Sequence, residues 1–178
     1  MPYLLDANVF IEAKNAYYGF DFAPGFWDWL DREHTNGNVY SIEKVRDELI
    51  GGDDELADWA KNKDHNFFLR PDEKMLPSLA TIAVWASSGH YEGAAANTFL
   101  DAADYYLVAH AHTHGFDVVT LEKVSTSTKK IKIPDACIAH GVKTMNTFAL
   151  LHRENARRLR QRPSVSHRPQ RVWPRRAL

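Results

Sequence analysis

Four acidic residues stand out by position among the 23 Asp and Glu of this 178-residue chain. Asp6 closes the apolar run Tyr3-Leu4-Leu5, and Glu122 follows Val118-Val119-Thr120-Leu121. Glu48 lies one turn before the end of a helical stretch that Gly51-Gly52 stops. Asp104 sits inside the otherwise apolar Ala102-Ala103-Asp104-Tyr105-Tyr106-Leu107, with Asp101 one turn earlier. Helical spacing puts Asp104 beside Ala103 and Leu107, next to the core stripe and not opposite it. Carboxylates sharing one pocket repel: two unit charges about 5 Å apart cost on the order of 3 kcal/mol at an effective dielectric of about 20. Without a cation, at least one such carboxyl is expected to hold a proton. Mg²⁺ or Mn²⁺ relieves the repulsion and suits oxygen ligands. A metal held this way polarises a phosphoryl oxygen, orients a water as nucleophile and steadies a leaving oxygen.

The elements that must position these acids follow from apolar runs and turn signals. Short apolar segments at Tyr3–Leu5, Val39-Tyr40, Phe67–Leu69, Phe116–Leu121 and Val142–Met145 read as buried strands. Between them the spacing predicts a helix starting near Ala7 or Asn8, and an aromatic helix after Pro24-Gly25. Further helices are expected at 42–50 with Ser41 as N-cap, at 53–63, and from Pro71-Asp72 to about Ala86. Residues 87–98 look looser, and a single helix is expected from Phe99 to His114, capped by Gly115. A short helix from Asp135 to Ile138 and a closing helix from about Asn146 to Leu159 complete the pattern. Strands alternating with helices imply an α/β fold of three layers, α/β/α, around a short, mainly parallel sheet. In such folds chemistry gathers at the C-terminal ends of the strands, where Asp6 and Glu122 lie.

Length and composition point to one globular domain. No apolar run approaches the roughly 20 residues that span a bilayer, and no signal peptide is evident, so no membrane partner is expected. Cys137 is the only cysteine, which excludes a disulfide scaffold and suits a reducing cytoplasm. The net charge of −1 conceals an asymmetry: residues 153–178 hold nine arginines and one acid, Glu154. The preceding body is correspondingly acidic, so any nucleic-acid binding must use local features or a metal and not bulk charge. Beyond about Arg160 the Arg/Pro-rich composition predicts a disordered tail.

Four segments together resemble the PIN-domain nucleases. Leu4-Leu5-Asp6-Ala7-Asn8-Val9-Phe10-Ile11 resembles the PIN opening, where an Asp after the first strand is followed by Thr or Asn. Val45-Arg46-Asp47-Glu48-Leu49 is similar to the helix supplying the second acid, and 101–109 to the helix supplying the third. Val118-Val119-Thr120-Leu121-Glu122 is similar to the strand whose Thr-x-Asp supplies the last, with Glu in place of Asp. The resemblance implies a PIN-like domain over 1–152, with 153–178 as helix end and tail. It also implies a Mg²⁺- or Mn²⁺-dependent endoribonuclease acting through Asp6, Glu48, Asp104 and Glu122. Asp6 and Asp104 are the expected principal metal ligands, with Glu48 and Glu122 as outer or second-metal ligands. Asn8 and Thr120 are expected to orient water or a carboxylate, and Asp101 to replace or assist Asp104. The best-known relatives are toxin ribonucleases of the VapC type, which brings an antitoxin protein into consideration beside the RNA substrate. A non-catalytic PIN-like interaction module and a DNA nuclease of the same fold are the alternatives.

Other residues could also carry function. His110 and His114 are spaced i,i+4, but no Glu completes an HExxH pattern, so a surface or capping role is expected. Tyr17, Tyr18, Phe20, Phe22, Phe26, Trp27 and Trp29 suit core packing or a homodimer face, with base stacking as the other reading. Lys123, Lys129, Lys130 and Lys132 surround Glu122 in sequence and are candidates for phosphate contact.

Overall fold

The computed structural model describes residues 1–21 and 23–161. Five strands, β1 (Tyr3–Leu5), β2 (Val39–Ile42), β3 (Phe68–Leu69), β4 (Asp117–Val119) and β5 (Thr144–Met145), form one sheet in the order β3-β2-β1-β4-β5. Every pairing is parallel. Tyr3 lies opposite Val39 on one side and Asp117 on the other, and Leu5 opposite Val119. All residues of β1 and β4 are buried, as a sheet covered on both faces requires. The helices that cover it are α1 (Ala7–Glu12), α2 (Pro24–Thr35), α3 (Glu43–Ile50), α4 (Glu55–Lys61), α5 (Leu76–Ala86), α6 (Gly93–Asp101), α7 (Ala103–His114), α8 (Ile133–Ala139) and α9 (Thr147–Gln161). The result is the expected three-layer α/β/α arrangement. Among the described residues no helix is long and apolar enough to cross a membrane.

The aromatic segment packs inward. Phe26, Trp27 and Trp29 are buried, and Trp27 meets Trp59 at 5.0 Å between ring centroids. Trp59 in turn meets Phe10 at 5.3 Å, and Phe67 lies 4.9 Å from Phe68. One aromatic cluster thus joins α1, α2, α4 and the β3 edge, with pairs in the 4.5–7 Å range that favours tilted and edge contacts. Tyr17 is the exception, 62% exposed at the end of a π-helical turn, Ala13–Tyr17, that continues α1. Phe22 lies outside the described residues.

Three expectations are corrected. Ser41 is not a helix cap: it belongs to β2, and its hydroxyl donates to the Leu5 carbonyl at 2.6 Å, fastening two neighbouring strands. The helix expected from Phe99 to His114 is two helices, because Ala102 is extended (φ −79, ψ 162) and ends α6 while starting α7. His110 is buried, not at the surface, with its ring 4.7 Å from that of His114. Burial, then the neighbouring His114, lowers the His110 pKa, so it is held neutral in the core.

Strand and helix ends shift by a few residues, the last strand shortening to Thr144–Met145. Gly115 does close α7, in the left-handed conformation at φ +73. The closing helix α9 is fastened through its middle: Tyr3 donates to Glu154 at 2.8 Å, and Arg153 meets Asp117 at 3.3 Å. The tail from residue 162 onward lies outside the described residues.

Candidate functional site

Parallel strands β1 and β4 lie side by side and end level, so the residues after them emerge together. Asp6 follows β1 and Thr120 follows β4, and the Thr120 hydroxyl donates to Asp6 Oδ2 at 2.9 Å. Asn8, in the first turn of α1, donates to the same oxygen at 3.3 Å. Asp6 is only 3% exposed, and burial is the main cause that lifts its pKa from 3.8 to about 6. The Thr120 hydrogen bond opposes this, and the charge of Glu122 adds to it.

Asp104 enters from the first turn of α7. The break at Ala102 makes this a true helix start, with free backbone N–H groups and the positive end of the helix dipole beside the carboxylate. The Ala103 amide, at the start of the new helix, favours the charged form of Glu48 of α3. Glu48 is exposed as a residue, yet partial desolvation of its carboxylate is the larger influence and raises its pKa. Burial lifts the Asp104 pKa to about 7, helped in order by the charges of Asp6, Glu122 and Glu48. Asp104 is therefore within electrostatic reach of the other three expected acids, and Asp6 of Glu122. Asp101 is not with them: it ends α6, is exposed, and is separated from Asp104 by the break.

Glu122 is held differently. Its Oε1 accepts from Lys132 Nζ at 2.6 Å, its Oε2 accepts from the Ile133 amide at 2.9 Å, and Lys130 stands 3.6 Å away. Burial pushes its carboxyl up, but these partners together bring it below the ordinary value. The Thr120 hydroxyl also accepts from the Glu122 amide at 3.1 Å, so one threonine fixes the backbone of one acid and the side chain of another. The pairing of Lys132 with Glu122 was not legible in sequence, because it depends on how the 123–132 loop returns to the end of β4. Lys123 and Lys130 line the cleft that holds Glu122, Asn8 and Ile11, which has a volume of about 620 Å³. Lys129 is exposed, and its amide serves only a turn hydrogen bond to Ser127.

Asp104, by contrast, has no hydrogen bond or ion pair to its carboxylate among the described residues. Among those residues no three His, Cys, Asp or Glu side chains converge closely enough to enclose a metal ion as they stand. The donor set still fits a hard cation of one kind: Mg²⁺ keeps several waters and is commonly held by one or two carboxylates plus substrate phosphates. Asp6 and Asp104 supply such a pair.

The model of a family described as a domain of unknown function, DUF4411, matches residues 3–158. No curated protein and no solved structure matches the chain.

Proposed function

We propose, starting from a chain that belongs to the DUF4411 family of unknown function, that it is a metal-dependent nuclease of the PIN-like type, cutting RNA. The observation that carries this reading is the gathering of Asp6, Asp104 and Glu122, with Glu48 beside them, at the C-terminal ends of the central strands, the Asp104 carboxylate half-buried, without a hydrogen-bond or ion-pair partner among the described residues, and lifted to about 7. A carboxylate costs least to hold in that state when a cation or a proton joins it.

Asp6 and Asp104 would hold Mg²⁺ or Mn²⁺, which when bound supplies Lewis-acid polarisation of the phosphoryl oxygen and a polarised water. The chain's own residues prepare the rest. Thr120 and Asn8 both donate to one oxygen of Asp6, which fixes its plane and leaves the other oxygen for the site. Glu48 lies beside the start of α7, close enough for its charge to act on Asp104. Lys132 and Lys130 neutralise Glu122 and carry positive charge to the place where a phosphate chain would pass. On this reading an antitoxin would cover the pocket by bringing a basic side chain to the acids, as Lys132 does to Glu122.

One observation favours a second reading, a non-catalytic interaction module: the fourth acid is already neutralised by lysines. The experiment that separates the two is cleavage of labelled single-stranded and structured RNA with Mn²⁺ or Mg²⁺, comparing wild type with Asp6→Ala and Asp104→Ala. The nuclease reading expects metal-dependent cutting lost in both variants. Folded wild type that neither cuts RNA nor binds Mn²⁺ in calorimetry would leave the interaction module in its place, and cutting of DNA alone would redirect the substrate.

A further inference from the structure

A second cleft adjoins the carboxylates, and nothing in the proposed chemistry uses it. It has a volume of about 400 Å³, within the range of about 300–1,000 Å³ usual for small-molecule sites. Tyr17, Tyr18 and Phe148 stand on its walls, with Thr147, Asn146 and Lys123. It is continuous with the Glu122 cleft, since Glu12, Leu121 and Lys123 line both.

Its aromatics are placed unlike those of the core. Tyr17 is 62% and Phe148 70% exposed, two large apolar faces left to solvent around one concavity. They come from distant parts of the chain, the π-helical turn after α1 and the first turn of α9. Extra-residue helical turns of this kind recur at functional sites, and here the turn is what delivers Tyr17 to the cleft. The wall is braced from behind: Tyr18 stacks on Phe26 at 4.5 Å, and its carbonyl accepts from Trp27 Nε1 at 2.7 Å. At the same cleft, the Thr147 hydroxyl is buried without a hydrogen-bond partner among the described residues. Among the described residues, the Asn146 side chain is engaged only through its Oδ1, by the Ala149 amide at 2.8 Å.

Exposed rings, a buried hydroxyl and an amide describe a receptor for a flat, partly polar ring system. The lysines fix which one. Lys123 belongs to both clefts with Glu12, and Lys130 and Lys132, both paired with Glu122, continue along that side, a path in which lysines outnumber acids. A polyanion with aromatic side groups fits that sequence of surfaces, its phosphates along the lysines and one ring in the aromatic cleft.

We infer that this cleft binds an unpaired nucleobase next to the phosphate held at the carboxylates. The inference rests on the nuclease reading for the phosphate's position. A paired base cannot enter, because its faces are stacked and its edge is occupied; a base splayed from a loop or strand can.

The test uses an Asp104→Asn chain, expected not to cut, and a single-stranded RNA oligonucleotide carrying 2-aminopurine. Its fluorescence is expected to be quenched on binding. Tyr17→Ala and Phe148→Ala are expected to remove the quench and weaken affinity about tenfold or more, while Tyr17→Phe retains both. Both side chains are exposed, so truncation spares the core. Binding with quench and affinity unchanged in the alanine variants, equal affinity for a fully paired duplex, or no binding at all would each overturn the cleft assignment. Mn²⁺ calorimetry on wild type separates this from the parent reading. A quench lost in the variants without Mn²⁺ binding keeps the base cleft and removes the nuclease, whereas Mn²⁺ binding with an unaffected quench removes the cleft alone.

Discussion

Thr120 and Asp6 are 114 residues apart in sequence and joined by a buried 2.9 Å hydrogen bond between the ends of two adjacent parallel strands. This bond favours the charged form of Asp6 against the burial that opposes it. Thr120→Val keeps the shape and removes the donor. The folded chain is expected to lose about 1 kcal/mol of stability, and RNA cleavage to fall by about ten- to hundred-fold. The acidic limb of the pH–rate profile should also move upward, which a purely structural loss would not produce. Thr120→Ser should restore most of each.

Asp104 gives the stability a pH dependence whose sign can be worked out. Its carboxyl has an ordinary value of 3.8 and lies at about 7 in the folded chain. Between those values the folded state binds more protons than the unfolded one, so its contribution is full below 3.8 and is lost as pH rises through about 7. Asp6, lifted to about 6, acts in the same direction over a narrower window. In metal-free buffer the Tm is therefore expected to fall from about pH 5 to about pH 8. Mn²⁺ should restore it at the upper end, and Asp104→Asn should flatten the curve. A wild-type Tm that rises over this interval would falsify the assignment.

Lys132 competes with any cation for Glu122, which it meets at 2.6 Å. Lys132→Gln removes that competitor and leaves the Glu122 pKa higher, since the lysine is the chief influence holding it down. Mn²⁺ affinity, read by calorimetry, is expected to rise several-fold while RNA cleavage falls, because the phosphate loses a positive neighbour. Parallel losses in metal binding and cleavage would show that Lys132 serves the loop's structure and not the site's charge.

Gly115 offers a control far removed in kind. It closes α7 at φ +73, where a side chain is strained, although a Cβ there would meet nothing within 4 Å. Gly115→Ala is expected to cost about 1 kcal/mol through the backbone alone, visible in a thermal melt. Cleavage below the melting range should not change.

The outline of the fold was legible because short apolar runs, Gly51-Gly52 and Gly115 mark where strands and helices begin and stop. The positions of Asp6 and Asp104 were legible for the same reason: each interrupts or ends an apolar stretch. The break at Ala102 was not. Alanine and its neighbours favour helix, and nothing in the local sequence marks the extended Ala102. The break also explains why Asp101 does not join the site. Ser41 misled in a similar way, since a serine before a helical run suits a cap as well as a strand, and the Leu5 carbonyl decides between them. His110 was misplaced because α7 is buried on several sides, so its spacing marks no outer face.

The order β3-β2-β1-β4-β5 places the first strand of the chain in the middle of the sheet. A ribosome that has released β1, β2 and β3 but not β4 leaves β1 with one edge open. Asp6 and Glu48 exist at that stage without Thr120 and Glu122, and Asp6 lacks its hydroxyl donor. Synthesis thus withholds the assembled centre until β4 docks, late and across a long loop, the kind of closure that is slow to form.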